Sequence, residues 1–142
     1  RLGEAEPLYR RALEARERTL GAEHPNTLNS VSNLAMLFQA QGKLGEAEPL
    51  SRRALEARER TLGGEHPDTL GSVKDLASLL EAQGRLGEAE PLYRRDLEAS
   101  ERTLGGEHPN TLSSVSHLSV LLQAQGKLGE AEPLFRRALE AR

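Results

Sequence analysis

The sequence predicts an all-α fold: an α-solenoid of stacked antiparallel helix hairpins, with seven helices. Three observations carry this. The stretch LGEAEPL begins at Leu2, Leu44, Leu86 and Leu128, always 42 residues apart. EHPNTL or EHPDTL returns with His24, His66 and His108, and A-Q-G returns with Gly42, Gly84 and Gly126 on the same period. Between these markers the apolar residues keep helical spacing. A fixed period of this length marks a repeat architecture, in which each unit buries its apolar face only against its neighbours.

Each element has its own signals. In residues 2–20, Leu2, Ala5, Leu8, Tyr9, Ala12, Leu13 and Leu20 form a helical stripe with Arg and Glu between them. Glu6 with Arg10 and Glu14 with Arg18 are i, i+4 pairs in the favourable order, each contributing a few tenths of a kcal/mol. Pro7 is the awkward residue, since an interior proline costs about 3 kcal/mol. That places the effective helix start near Gly3 or Glu4, and the same holds at Pro49, Pro91 and Pro133. Gly21 ends the helix as a left-handed cap, and Gly63-Gly64 and Gly105-Gly106 do so in later copies.

After a short loop, Pro25 opens a second helix, with Asn26 as the capping side chain. Its buried stripe is Leu28, Val31, Leu34, Ala35 and Phe38, and Gly42 terminates it. With so short a link to the next LGEAEPL stretch, the two helices must run antiparallel. Helices are therefore expected near residues 3–20, 25–41, 44–62, 67–83, 86–104, 109–125 and 128–142. The organisation read from this is one solenoid: a half repeat at 1–23, then repeats at 24–65, 66–107 and 108–142, the last truncated. Opening in mid-repeat and closing before another E-R-T-L, the chain reads as a fragment of a longer protein.

Composition narrows the function classes. The net charge is -3 and aromatics make up 3 %, which leaves neither an electrostatic footprint nor stacking platforms for nucleic acid. Cysteine is absent, so there is no disulfide, thiolate metal site or cysteine nucleophile, which fits a reducing, cytoplasmic setting. No apolar run approaches the roughly 18 residues of a membrane span. No phosphate-binding glycine loop or nucleophile elbow is present. The sequence therefore points away from an enzyme and implies no cofactor. His24, His66 and His108 recur one whole repeat apart, too far for one metal ion, and read as loop or cap residues; no metal site is expected.

The helix pair carries a recognisable spacing. Val31-x2-Leu34-Ala35-x2-Phe38, then Ala47 and, four residues on, Ser51, resembles the tetratricopeptide pattern of large–Leu–small–aromatic followed by Ala-x3-aromatic. Tyr93 and Phe135 restore the aromatic that Ser51 lacks. Two departures stand out: Val31, Val73 and Val115 replace the pattern's tryptophan, and Ala35, Ala77 and Ser119 replace its glycine. The longer 42-residue form is similar to the repeats of kinesin light chains. The resemblance implies a right-handed superhelix whose first helices line a concave groove for peptides or proteins.

The copies can be compared within the chain. Residues 24–65 and 66–107 differ at 11 of 42 columns, mostly in the first helix: Asn26/Asp68, Asn29/Gly71/Ser113, Ser32/Lys74, Asn33/Asp75/His117, Met36/Ser78/Val120 and Gln39/Glu81. These positions are three or four apart and share a helix face, while the buried stripe hardly changes. The groove surface expected from this is Asn29, Ser32, Asn33, Met36, Gln39, Lys74, Asp75, Ser78, Glu81, Ser113, Ser116, His117 and Val120. Asn29, Asn33 and Gln39 would hydrogen-bond an extended backbone, Lys74 would meet one carboxylate, and Asp75 and Glu81 oppose a strongly acidic ligand. His117 stands on this strip, and an ordinary exposed histidine is the leading reading of it. Asp96, where other copies have Ala12, Ala54 and Ala138, is expected to be partly exposed or paired with an arginine, and Ser51 to leave a loose spot. The Arg pairs, such as Arg10-Arg11, read as a solvated convex face.

Two functions remain open on the sequence. One is a protein-interaction module that holds a peptide segment of a partner. The other is a structural solenoid that self-associates head to tail through Leu2, Leu8 and Tyr9 at one end and Leu128, Leu134 and Phe135 at the other, or serves as a spacer.

Overall fold

Seven helices follow one another among residues 2–141, which a computed structural model describes; side chains are described from Gly3 onward, so the expectation for the Leu2 side chain lies outside them. They are α1 (Leu2–Leu20), α2 (Pro25–Ala40), α3 (Leu44–Leu62), α4 (Pro67–Ala82), α5 (Leu86–Leu104), α6 (Pro109–Ala124) and α7 (Leu128–Glu140). No strand occurs among the described residues. The chain forms two compact units, the first running to Leu79 and the second starting at Leu80.

In the first unit α2 packs against both α1 and α3. The expected stripe of α2 is the core here: Leu28, Val31, Leu34, Ala35 and Phe38 are all buried, as are Ala47, Ala54 and Leu55 of α3. In the second unit α6 packs against α5 and α7, and Val115, Leu118, Leu121 and Leu122 are buried, as are Ala89, Leu97, Ala131 and Ala138. The stripe of α1 is open by contrast: Leu13 is buried, but Leu8 and Tyr9 are exposed.

The boundaries explain the repeated motifs. α3 starts at Leu44, so Pro49 sits in the second turn rather than at the helix start. At the end of α2 the Lys43 amide donates to the Phe38 carbonyl (2.8 Å) and the Gly42 amide to Gln39 (3.0 Å). With Gly42 at φ +78°, this is the paired glycine closure that satisfies the last carbonyls of a helix. The other glycine stop differs from the αL cap expected: Gly63 has φ 92° and ψ 160°, an extended conformation of positive φ that only glycine adopts readily.

The start of α2 also differs in its cap. His24, not Asn26, is the N-cap: its Nδ1 accepts from the Asn26 amide at 3.0 Å. His66 Nδ1 does the same for Asp68 (3.0 Å) and His108 Nδ1 for Asn110 (3.1 Å). The buried threonine of the motif serves the preceding helix. Thr27 Oγ1 donates to the Gly21 carbonyl at 2.7 Å, and Thr69 and Thr111 reach the Arg58 and Ser100 carbonyls at 3.3 Å. The EHP-x-T motif is thus a joint that closes one helix and opens the next. His66→Ala is expected to lower stability by about 1 kcal/mol, and His66→Asn, whose side chain also accepts, by much less; urea midpoints of the two variants check this.

Candidate functional site

In the first unit the expected strip lies on α2 and α4. Asn29, Asn33, Met36, Asp75 and Ser78 are exposed, while Ser32, Gln39 and Lys74 are half-buried. Met36, 51 % exposed, is an apolar side chain standing among polar ones.

An arginine the sequence reading passed over lies beneath them. Arg58 of α3 is only 8 % exposed. Its Nη1 donates to Ser72 Oγ (2.7 Å) and Ser32 Oγ (3.2 Å), and its Nη2 to Asn29 Oδ1 (2.9 Å). The acceptors that hold Arg58 are thus neutral oxygens, and the Asp75 carboxyl lies near enough to feel its charge. Arg16 makes the equivalent contact one copy earlier, with Nη1 donating to Ser30 Oγ at 2.8 Å.

Beside Ser32 and Ser72, which accept from Arg58, a small cavity opens between α2, α3 and α4. It is bounded by Ser32, Ala35, Met36, Gln39, Ser51, Ala54, Ser72 and Asp75. It offers about 10 Å³ to the centre of a water-sized sphere, enough for one water molecule. This is the loose spot expected at Ser51. The Asp75 carboxyl is pushed above the usual carboxylate range by burial, and Arg58 and then Lys74 pull it back. Asp75 is exposed and also lines the cavity.

In the second unit the same columns carry different chemistry. Tyr93 is buried and its hydroxyl donates to Glu81 Oε1 at 2.9 Å. Burial, followed by this contact with Glu81, raises the Tyr93 pKa. Asp96 was expected to be partly exposed or paired with an arginine, and it is neither. It is 1 % exposed, and Ser114 Oγ donates to its Oδ2 at 2.5 Å. The arginine column that would have paired with it holds Ser100 in this copy. His117 is exposed, its ring 5.9 Å from that of Tyr93 at a tilt of 38°. Beside His117, Ser113 and Ser116 border an open recess of about 360 Å³ with Pro109, Leu112 and Ala138. Val120 is 50 % exposed.

The arginines of the LGEAEPL helices do not simply face solvent. Arg53 Nη2 reaches Glu17 at 2.7 Å, Lys43 Nζ reaches Glu6 at 3.3 Å, Arg137 Nη1 reaches Glu101 at 2.7 Å and Lys127 Nζ reaches Glu90 at 2.9 Å. These pairs tie successive second helices within each unit; Arg10 and then Lys43 lower the pKa of Glu6, and Lys127 and then Arg94 that of Glu90. They are surface pairs, so they align the helices more than they stabilise them. Among the described residues no three His, Cys, Asp or Glu side chains gather as a metal ion would need, and no helix is long and apolar enough to cross a membrane.

Comparison with known proteins adds to this. The family model described as tetratricopeptide repeat matches residues 1–60, 29–95 and 70–142. A kinesin light chain-type protein of Podosopora anserina, crystallised for its nearly identical TPR-like repeats, superposes with a TM-score of 0.86 at 33 % identity over 99 % of this chain. A single-substitution variant of it gives 0.87 at 32 % identity over 99 %. This chain spans 66 % of the length of each of those two. BtubC (BKLC) from P. vanneervenii gives 0.91 at 23 % identity, covering 100 % of this chain and 57 % of that one; at this identity the likeness speaks for the fold alone. No curated protein matches the chain.

Proposed function

We propose a peptide-holding role for this chain, which belongs to the tetratricopeptide repeat family. Repeats of this family generally mediate protein–protein interaction and typically act as non-enzymatic scaffolds. The finer reading is that the strip on α2, α4 and α6 receives an extended or helical segment of a protein partner.

One observation carries it. The copies keep Leu28, Val31 and Leu34 of the α2 stripe and differ along one strip of the first helix, at Asn29, Ser32, Asn33, Met36 and Gln39 and their counterparts, where side chains are exposed or half-buried and available to an outside partner. Drift alone would spread such differences over every solvent-facing position. The strip's chemistry suits a polypeptide. Asn29 turns its Oδ1 to Arg58, which leaves its amide NH2 to donate to a backbone carbonyl. Asn33 and Gln39 offer both a donor and an acceptor, and Met36 adds a deformable apolar contact.

The test is a peptide-library selection on the 142-residue chain beside a variant with Lys74, Asp75 and His117 changed to alanine, its fold checked by circular dichroism. Peptides kept by the parent and lost by the variant are the expected result. Enrichment of the same peptides by both proteins, or of none, would overturn the reading.

A further inference from the structure

We propose that His24 and His108 make two helix joints of this chain acid-sensitive, because the neutral imidazole caps a helix and the imidazolium cannot. The proposal goes beyond the peptide-holding reading and does not depend on it.

The geometry is the same at both joints. His24 Nδ1 accepts from the Asn26 amide at 3.0 Å, and His108 Nδ1 accepts from the Asn110 amide at 3.1 Å. Pro25 and Pro109 open the two helices and have no N–H. Asn26 and Asn110 therefore carry the first amides of α2 and α6 that need an acceptor. A ring nitrogen that accepts carries no proton, so each neutral ring holds its proton on Nε2. A second proton can go only to Nδ1. There it takes the lone pair that the amide uses and leaves two donors facing each other. It also sets a positive charge against the positive end of a helix. Serine, threonine and asparagine caps do not lose their acceptor in this way.

Linkage gives the direction. The folded chain needs both rings neutral, and the unfolded chain does not. The unfolded chain thus binds more protons. Stability is full on the alkaline side and falls as the imidazoles take up protons. Solvent reaches both rings, since His24 is half-buried and His108 exposed. The joint opens on one side only. Thr27 and Thr111, whose hydroxyls donate to the Gly21 and Ser100 carbonyls, keep their hold on the preceding helices.

The charged neighbours give an imidazolium little. At the His24 joint α1 supplies Arg16, which donates to the Asn26 carbonyl at 3.1 Å, and Glu17. From α3 come Arg53, paired with Glu17, and Arg60, paired with Glu23 beside the histidine. Both of these carboxylates already hold an arginine. At the His108 joint Arg137 of α7 pairs with Glu101 of α5 and donates to the Gly106 carbonyl. Glu107, beside the histidine, borders a recess with Arg136, Arg137 and Glu140. His66 is set apart. It caps the amide of Asp68, which adds a carboxylate to that turn where the other joints have asparagine.

The experiment follows urea unfolding of the intact chain at pH 8 and pH 5, the interval in which histidine changes charge, beside the double variant His24→Asn/His108→Asn and the single variant His117→Asn. Asparagine caps a helix without titrating, so the double variant should match the parent at pH 8. From pH 8 to pH 5 the parent's unfolding constant should rise about 25-fold more than that of the double variant, about fivefold for each cap. Carboxyl groups that begin to titrate near pH 5 are common to both proteins and cancel in the comparison. His117 lies inside α6 and caps no helix, so His117→Asn should keep the parent's pH dependence. Nitrogen NMR of the rings gives a second readout: His24 and His108 should carry their proton on Nε2 at pH 8. Equal pH dependence in the parent and the double variant, loss of that dependence in His117→Asn, or a proton on Nδ1 at pH 8 would each overturn the proposal.

Discussion

Ser114→Ala is expected to destabilise the second unit by about 3 kcal/mol, far more than a serine-to-alanine change on a helix normally costs. Asp96 is 1 % exposed, and the Ser114 hydroxyl at 2.5 Å is the donor that holds its carboxylate. Remove the hydroxyl and a buried charge loses its partner. In an Asp96→Ala background the same change should cost less than about 1 kcal/mol, since nothing charged is left unpaired. A double-mutant cycle by urea unfolding, followed by circular dichroism, would then show a coupling of about 2 kcal/mol. Coupling near zero would mean that Ser114 does not hold the carboxylate. Asp96→Ala alone should be close to neutral or stabilising, because it restores the alanine of Ala12, Ala54 and Ala138. Adding Ser100→Arg to it should rebuild the arginine-to-serine contact seen from Arg16 to Ser30 and from Arg58 to Ser72.

Much of the fold was legible because the chain repeats itself. The 42-residue period placed seven helices within one or two residues of where they lie. The α2 stripe was readable for the same reason: Leu28, Val31, Leu34 and Phe38 keep strict helical spacing. The α1 stripe misled, since spacing says which side chains share a face but not whether a neighbour covers it, and Leu8 and Tyr9 stay exposed. Asn26 was misassigned as the cap, while the reading of His24 as a loop or cap residue holds: its ring reaches the amide two residues on.

The candidate site was half legible. Differences between copies marked the strip on the first helices, but the chemistry beneath comes from the second. Ser51/Tyr93, Ala54/Asp96 and Arg58/Ser100 were visible as differences, and their spacing of three and four puts them on one face. That face points under the strip. Read together rather than singly, they form one concerted exchange of charge and volume. What no spacing could supply was depth: an arginine among Arg and Glu looks solvent-facing, yet Arg58 is buried among hydroxyls.

The exchange at Ser51 and Tyr93 gives the other large effect, and an asymmetric one. Tyr93→Ser is expected to cost about 4 kcal/mol, because it removes a buried ring and the donor to Glu81 from a packed site. Ser51→Tyr should return only about 1 kcal/mol. The surroundings of Ser51 already leave no more than about 10 Å³, so a phenol must displace Met36 and Gln39 before its burial counts. Met36 is 51 % exposed and flexible enough to yield, which keeps the sign favourable. Urea midpoints of the two variants decide this. A gain as large as the loss would mean that the first unit holds an aromatic-sized void, whereas a net loss in Ser51→Tyr would mean that Met36 and Gln39 are fixed walls.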